Sequence, residues 1–188
     1  GEPGRLASEL CGLPVEQVTG DGSPRGERIF LLWNPAGDDV EGGRSVSSAR
    51  DTAELMSGLV AGGHRTIAFC RSRKGTELVA ADVKRRLRSD LADTVRPYRG
   101  GYLTAERREI ERKLFSGALR GVVATTALEL GIDVGGLDAC VLNGFPGTIA
   151  SMWQQAGRAG REQQTSVAAL VAGDDQLDQW FMHHPDEL

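Results

Sequence analysis

Short apolar runs alternate with segments of helical apolar spacing along most of this 188-residue chain. We predict strands at 28–33, 66–70, 94–98, 121–124, 138–142 and 166–171. We predict helices at 5–11, 47–61, 76–88, 104–115, 148–159 and 174–182. Strands that alternate with helices of about 10–15 residues form crossover units and therefore pair in parallel. The sequence predicts an α/β fold, a parallel β-sheet with helices on both faces.

The first 45 residues lack this regular alternation. They contain one weak helix and the apolar run 28–33, which ends at the turn signal Asn34-Pro35. Residues 37–45 are rich in glycine and acid and show no periodicity, which is typical of a connector. We therefore place a domain boundary here, with one unit at 1–45 and the regular domain at 46–188.

The cysteines and the apolar runs indicate the cellular setting. Cys11, Cys70 and Cys140 lack the spacing of zinc ligands, so we predict no metal site. Cys70 and Cys140 fall in apolar runs and are predicted to be buried thiols of a reducing compartment. The sequence contains no run of about 18 apolar residues and no secretion leader, so we expect a cytoplasmic protein without membrane contact.

The charge is unevenly distributed. The chain carries a net charge of −4, but residues 65–120 contain 15 Lys or Arg against 7 Asp or Glu. That segment therefore carries +8 and the remainder −12. A basic middle with acidic ends fits a protein that contacts phosphate on one face. Chance clustering of solvated charge is the alternative.

The segment 152–162 is the most informative one for chemistry. If it is helical, Gln154, Arg158 and Arg161 lie on one face because they are four and three residues apart. Gly157 and Gly160 lie between them, and each costs about 1 kcal/mol relative to alanine within a helix. Their lack of side chains would let another surface approach, with the arginines reaching toward phosphate oxygens. A solvated, arginine-rich helix face is the alternative.

Polar residues also follow a predicted strand at 121–124. Thr125 and Thr126 offer hydroxyls and backbone N–H groups near a helix start, which suits a backbone phosphate of a nucleic acid. Asp133, two residues after Gly131, could accept from a ribose hydroxyl or orient the arginines. Capping threonines and an ordinary Gly-Asp turn are the alternative. Ligands of parallel sheets gather at the carboxyl ends of the strands, and we expect all of these segments there.

These segments resemble conserved motifs of the superfamily 2 helicases of the DEAD/DEAH type. The stretch 154–161 is similar to motif VI, and 124–133 is similar to motif V, 21 residues before Gln154. The stretches 69–74 and 98–102 resemble motifs IV and IVa. The resemblance covers 66–171, is specific to the second RecA-like lobe, and is strongest to bacterial repair DNA helicases of the mitomycin-repair-factor type.

The resemblance implies a function for each segment. Arg161, with Arg158, would face the ATP γ-phosphate across a cleft between two RecA-like lobes. The further ATP contacts would be Gln154, Gly131 and Asp133. The contacts to nucleic acid, most simply single-stranded DNA, would be Ser72, Arg99, Gly100, Thr125 and Thr126. The family branch implies ATP-driven 3′-to-5′ translocation in DNA repair.

The chain also departs from the family pattern. It contains no Gly-x-x-x-x-Gly-Lys-Ser/Thr and no apolar strand that ends in an acidic Asp-Glu box, so the phosphate cradle and the magnesium carboxylate are absent. The four-cysteine zinc cluster of the branch is absent too. We therefore expect a piece of a longer protein, in which 1–45 is the end of the first RecA-like lobe and the linker. That first lobe would bind most of ATP and Mg²⁺, and the piece alone would not hydrolyse ATP.

Two other functions stay open from the sequence. The first is an RNA helicase lobe of the same superfamily, because phosphate contacts do not read the 2′-hydroxyl. The second is a non-catalytic RecA-like binding module, which would need neither Arg158 nor Arg161. A strand within 1–45 that pairs with nothing would indicate a truncated first lobe.

Overall fold

Six strands form one sheet in the computed structural model, which describes residues 2–20, 22, 26–35, 47–129, 136–160 and 164–188. They are β1 (Arg28–Trp33), β2 (Thr66–Cys70), β3 (Val95–Tyr98), β4 (Gly121–Ala124), β5 (Ala139–Asn143) and β6 (Ser166–Val171). Their order is β1-β6-β5-β2-β4-β3, and each neighbouring pair is parallel. The predicted α/β fold with a parallel sheet is confirmed.

Helices cover both faces of this sheet. They are α1 (Pro3–Cys11), α2 (Ser48–Ala61), α3 (Arg73–Arg86), α4 (Ser89–Ala92), α5 (Thr104–Phe115), α6 (Ile149–Ala156) and α7 (Gln176–His183). Ile67 and Phe69 pack in a core with residues of α5, α6 and α7, whereas Ala68 and Cys70 pack with α2 and α3 on the other face. None of the helices in the described part of the chain combines the length and apolar content that a bilayer crossing requires.

Side-chain caps set several helix starts. Ser47, Ser72 and Thr148 each accept a hydrogen bond from the backbone N–H three residues later. Because Ser72 caps it, α3 begins at Arg73, three residues before the predicted start. α5 begins at Thr104, the first residue of the predicted helix. The Glu106 side chain closes that end, since its Oε2 accepts from the backbone N–H three residues earlier.

The strand at 28–33 belongs to the same sheet as the rest. β1 pairs with β6 over its whole length, from Arg28 opposite Ser166 to Trp33 opposite Val171. The predicted boundary at residue 45 therefore does not separate this strand from the sheet, and the pairing gives no sign of a truncated lobe at β1. The connector predicted at 37–45 lies outside the described residues.

The prediction that two of the cysteines are buried thiols is confirmed. Cys70 and Cys140 are buried, whereas Cys11 is exposed. Burial raises the pKa of Cys70 to about 11 and raises the pKa of Cys140 as well.

We expect a thiol-specific disulfide reagent at about pH 8 to modify one thiol of the native chain quickly and the other two only on unfolding. The buried thiols are protonated and sterically protected, whereas Cys11 lies open to the reagent. Stopped-flow absorbance with and without denaturant measures the two amplitudes. Cys11→Ser should remove the fast phase, and a second fast-reacting thiol in the native chain would contradict the assignment.

Candidate functional site

Three of the motif segments meet at the carboxyl edge of the sheet. β2, β4 and β3 are neighbours, with Phe69 opposite Ala124 and Tyr98 also opposite Ala124. Ser72, Arg99 and Thr125 follow these strand ends within three residues. The expectation that these segments lie together at the carboxyl ends is confirmed, and their chemical roles stay predictions.

Ser72 lies at the start of α3. Its Oγ accepts from the backbone N–H of Gly75 at 3.0 Å, which caps the helix. The side chains of Arg73 and Lys74 are exposed beside it. A capped helix start with free first-turn N–H groups and two cations nearby is a suitable place for a phosphate.

Arg99 forms an ion pair with Glu77. Its Nε donates to Oε1 of Glu77 at 2.7 Å, and its Cζ lies 4.9 Å from the ring centroid of Tyr102. The Tyr102 hydroxyl donates to the same Oε1 at 3.4 Å. The hydrogen bond with Glu77 raises the pKa of Arg99 above its usual value. The sequence analysis missed Glu77, although it is the only acid between Arg71 and Ala81 in the sequence.

The glycine at 100 lies close to another basic residue. A Cβ added to Gly100 would lie 3.5 Å from Nη2 of Arg73. Gly101 adopts a φ of +101°, a conformation that side chains disfavour. The loop after β3 therefore lies against the first turn of α3.

Thr125 and Thr126 form the turn between β4 and a single 3₁₀ turn at 126–128. The backbone N–H of Thr125 donates to the carbonyl of Tyr98 at 3.2 Å, and its Oγ1 accepts from the N–H of Ala127 at 3.4 Å. Thr126 is exposed. The Thr125 hydroxyl therefore acts as a cap, while Thr126 leaves a hydroxyl open to solvent at the carboxyl edge.

The predicted helix through 148–159 is shorter than expected. α6 ends at Ala156, with Gly157 as its cap, so Arg158 lies beyond the helix and not on one helical face with Gln154. Gly160 shows the reason: its φ is +99°, and a Cβ there would lie 2.7 Å from Oγ of Ser166. Gly157 caps the helix, and Gly160 admits the neighbouring β6.

Residues 158–160, called the arginine segment below, lie at the amino edge of the sheet. The N–H of Gly160 donates to the carbonyl of Leu137 at 2.9 Å, two residues before β5 begins. Nη2 of Arg28, the first residue of β1, donates to the carbonyl of Ala159 at 3.2 Å. The expectation of the carboxyl edge was therefore wrong for Arg158, because α6 runs back from the carboxyl end of β5 before β6 starts. The described motif residues form two surfaces at opposite ends of the sheet.

Glu129 connects the arginine segment to the turn after β4. Arg158 is half-buried, and its Nη2 donates to the backbone carbonyl of Glu129. Gln155 is buried, and its Nε2 donates to Oε2 of Glu129 at 2.9 Å and to Oγ of Ser151 at 3.3 Å. Gln154, which the sequence analysis favoured, is exposed. Neither Gln155 nor Glu129 was predicted from the sequence. The one signal was that Glu129 is an acidic residue within the apolar stretch 127–130.

A buried carboxylate holds the ends of β2, β5 and β6 together. Asp178 is fully buried on α7. It accepts from the N–H of Phe145 at 2.7 Å, from the N–H of Gly173 at 2.8 Å and from Nη2 of Arg71 at 3.0 Å. Nη1 of Arg71 also lies 3.3 Å from Oδ2 of Asp175. Arg71 therefore fixes the chain that leads into Ser72.

Three predicted site residues lie outside the described residues: Gly131, Asp133 and Arg161. Within the described ranges, no group of three or more His, Cys, Asp or Glu side chains could hold a metal ion.

Comparisons with known proteins agree on one family. A model described as the helicase conserved C-terminal domain matches residues 50–163. The chain is 40% identical over 185 residues to an uncharacterized ATP-dependent helicase, YprA of Bacillus subtilis, covering 98% of this chain and 25% of that protein. It is 42% identical over 178 residues to the ATP-dependent helicase HRQ1 of Saccharomyces cerevisiae, covering 93% of this chain and 16% of that protein.

A solved structure matches the fold over the whole chain. The crystal structure of the DUF1998 helicase MrfA bound to DNA and AMPPNP superposes with a TM-score of 0.91 at 39% identity, covering 100% of this chain and 26% of that one. The chain thus spans about a quarter of the length of MrfA and of YprA.

Proposed function

This chain belongs to the helicase conserved C-terminal domain family, and from that membership we propose that it is the second motor lobe of an ATP-dependent DNA helicase or translocase. The structural match to MrfA confirms the predicted RecA-like fold of a helicase C-terminal lobe. The activity, substrate and partners belong to the longer protein and are proposed here.

The arrangement of Ser72, Arg99 and Thr125 carries this proposal. Three segments that are far apart in sequence meet at adjoining strand ends and offer hydroxyls, a helix start and guanidinium groups. These groups suit successive phosphates of one strand, with Gly100 and Thr126 beside them. MrfA, at 39% identity, was solved with DNA, which favours DNA over RNA as the strand.

The other predicted site residues would supply the contacts to the nucleotide. Arg161 and Arg158 approach the γ-phosphate of an ATP bound mainly by the first lobe, and they stabilise the charge that develops during hydrolysis. Gln154, Gly131 and Asp133 complete the nucleotide contacts. MrfA was also solved with AMPPNP, which supports a nucleotide at a lobe of this kind.

Mg²⁺ is bound mainly by the first lobe in this proposal. The described residues offer no carboxylate cluster for it. When bound, the ion would neutralise charge on the ATP phosphates.

The turn after β4 connects the carboxyl edge of the sheet to the amino edge. It leaves the carboxyl edge at Thr125 and reaches Glu129, whose carbonyl accepts from Arg158. Closing of the cleft on ATP and its opening after hydrolysis would move the arginine segment and, through this turn, the phosphate contacts. The phosphate contacts would thereby shift along the nucleic-acid strand.

The first lobe explains the exposed apolar stripe of α1. Leu6 and Leu10, one helical turn apart, are 61% and 80% exposed, and Leu13 just beyond the helix is 67% exposed. A stripe of this kind is expected to be covered in the folded protein. We propose that the first RecA-like lobe of the full-length protein covers it, so residues 1–20 close that lobe and the linker follows. The 3′-to-5′ direction, the role in DNA repair and the cytoplasmic location are proposed from the family branch.

The test compares the full-length protein with residues 1–188 alone. We expect ATP hydrolysis stimulated by single-stranded DNA from the former and none above background from the latter, since the isolated lobe supplies no phosphate cradle. A coupled ATPase assay with DNA and RNA oligonucleotides of one sequence measures both. Robust turnover by the isolated chain would contradict the proposal, and stimulation by RNA alone would make this an RNA helicase lobe.

A further inference from the structure

We propose that Glu77 occupies the phosphate site of Arg99 until a nucleic-acid strand displaces it. The inference rests on the proposed function and names a regulating residue for the same surface. Glu77 would then set how tightly the lobe holds a strand, by competing with phosphate for one guanidinium.

The geometry shows that the carboxylate takes the position of a ligand. The 2.7 Å contact between Nε of Arg99 and Oε1 of Glu77 has the length of a charge-assisted hydrogen bond. The two side chains are 30% and 44% exposed, so the pair lies open at the surface and a strand can reach it. A phosphate oxygen that binds at Nε would need the N–H that Glu77 now occupies.

Tyr102 keeps Arg99 in place when the carboxylate leaves. Its ring centroid lies 4.9 Å from Cζ of Arg99, a cation–π contact that does not require the Glu77 carboxylate. Release from Glu77 would therefore free the donors without releasing the side chain. The Tyr102 hydroxyl, which also donates to Glu77, would become available with them.

The surrounding charge favours exchange with phosphate. Arg73 and Lys74 are exposed in the first turn of α3, and Arg73 lies beside Gly100. A phosphate between α3 and the loop after β3 would contact these cations together with Arg99. The single carboxylate of Glu77 is thus a weaker ligand for these cations than the phosphates of a nucleic-acid strand.

Removal of the competing charge should tighten binding. We expect Glu77→Gln in the full-length protein to lower the Kd for a single-stranded DNA oligonucleotide by a factor of about two to five, the range for exposed ion pairs. Fluorescence anisotropy at fixed ionic strength without nucleotide measures this. Glu106→Gln is the matched control, because the exposed Glu106 acts on Arg99 only through its charge at a distance and retains its capping bond as glutamine.

A double-mutant cycle separates competition from a general charge effect. In an Arg99→Ala background, Glu77→Gln should tighten binding no more than Glu106→Gln does. A gain that persists without Arg99, or an unchanged or higher Kd in Glu77→Gln alone, would overturn the proposal. If Arg99→Ala alone leaves the Kd unchanged, the phosphate contact in the proposed function fails, and the role of Glu77 fails with it. If Arg99→Ala raises the Kd but Glu77→Gln does not lower it, only the proposed role of Glu77 is refuted.

Discussion

Arg161→Ala in the full-length protein is expected to lower the kcat for ATP hydrolysis by a factor of about 10³–10⁵ while single-stranded DNA binding stays within about twofold of the wild type. An arginine that reaches the γ-phosphate acts on charge that develops in the transition state, so its loss appears in kcat. The strand contacts are proposed at Ser72, Arg99 and Thr125, which follow β2, β3 and β4 at the carboxyl edge, so the substitution removes none of them.

The measurement pairs steady-state ATP turnover at saturating single-stranded DNA with anisotropy of the same oligonucleotide. Arg120→Ala is the control, because Arg120 is an exposed arginine that directly precedes β4 and has no proposed role in catalysis. It should retain wild-type turnover. An Arg161→Ala protein with unchanged kcat would rule out the role of this residue, and loss of both activities would indicate a folding defect.

Arg158 should behave differently from Arg161. It is half-buried and donates to the carbonyl of Glu129, so its loss removes a contact that joins the arginine segment to the turn after β4. The structure thus assigns it a positioning contact in addition to any contact with phosphate. The sequence pattern, which treats the two arginines as a pair on one helix, did not separate these roles.

The fold was predictable because its determinants are local. Apolar runs of strand length alternating with amphipathic helices leave few solutions besides a parallel sheet covered on both faces. The same reasoning placed Ser72, Arg99 and Thr125 at the carboxyl edge, since each follows a strand directly. These predictions need only the order of elements along the chain.

The errors arose where contacts distant in sequence decide the structure. α6 ends early because Gly160 packs on Ser166 and pairs with Leu137, which no pattern within 152–162 reveals. The pairing of β1 with β6 also joins residues far apart in the chain, while the boundary at residue 45 stays a prediction. The pairing of Arg99 with Glu77, which α3 brings to it, was likewise not visible in the sequence.

Loss of the buried Asp178 carboxylate should cost this chain much of its stability. Asp178→Ala leaves the N–H groups of Phe145 and Gly173 without their acceptor, and an unsatisfied buried group costs about 1–3 kcal/mol. Arg71 loses a partner too, but its side chain is 46% exposed and water can replace part of the contact. We expect a loss of about 3–5 kcal/mol in the free energy of unfolding.

Urea denaturation and thermal unfolding of residues 1–188 measure this loss, which corresponds to a fall in Tm of roughly 6–20 °C for a domain of this size. Asp174→Ala is the matched control, because Asp174 is exposed four residues earlier, and it should change the free energy by about 0.5 kcal/mol or less. Asp178→Asn should fall between the two, since the amide keeps one acceptor for the N–H groups but places a donor beside Arg71. Equal stabilities of Asp178→Ala and Asp174→Ala would show that the three hydrogen bonds to Asp178 do not hold the ends of β2, β5 and β6 together. Because Arg71 precedes Ser72 directly, the same substitution should also weaken the strand contact at the start of α3, which links the stability of this edge to its proposed function.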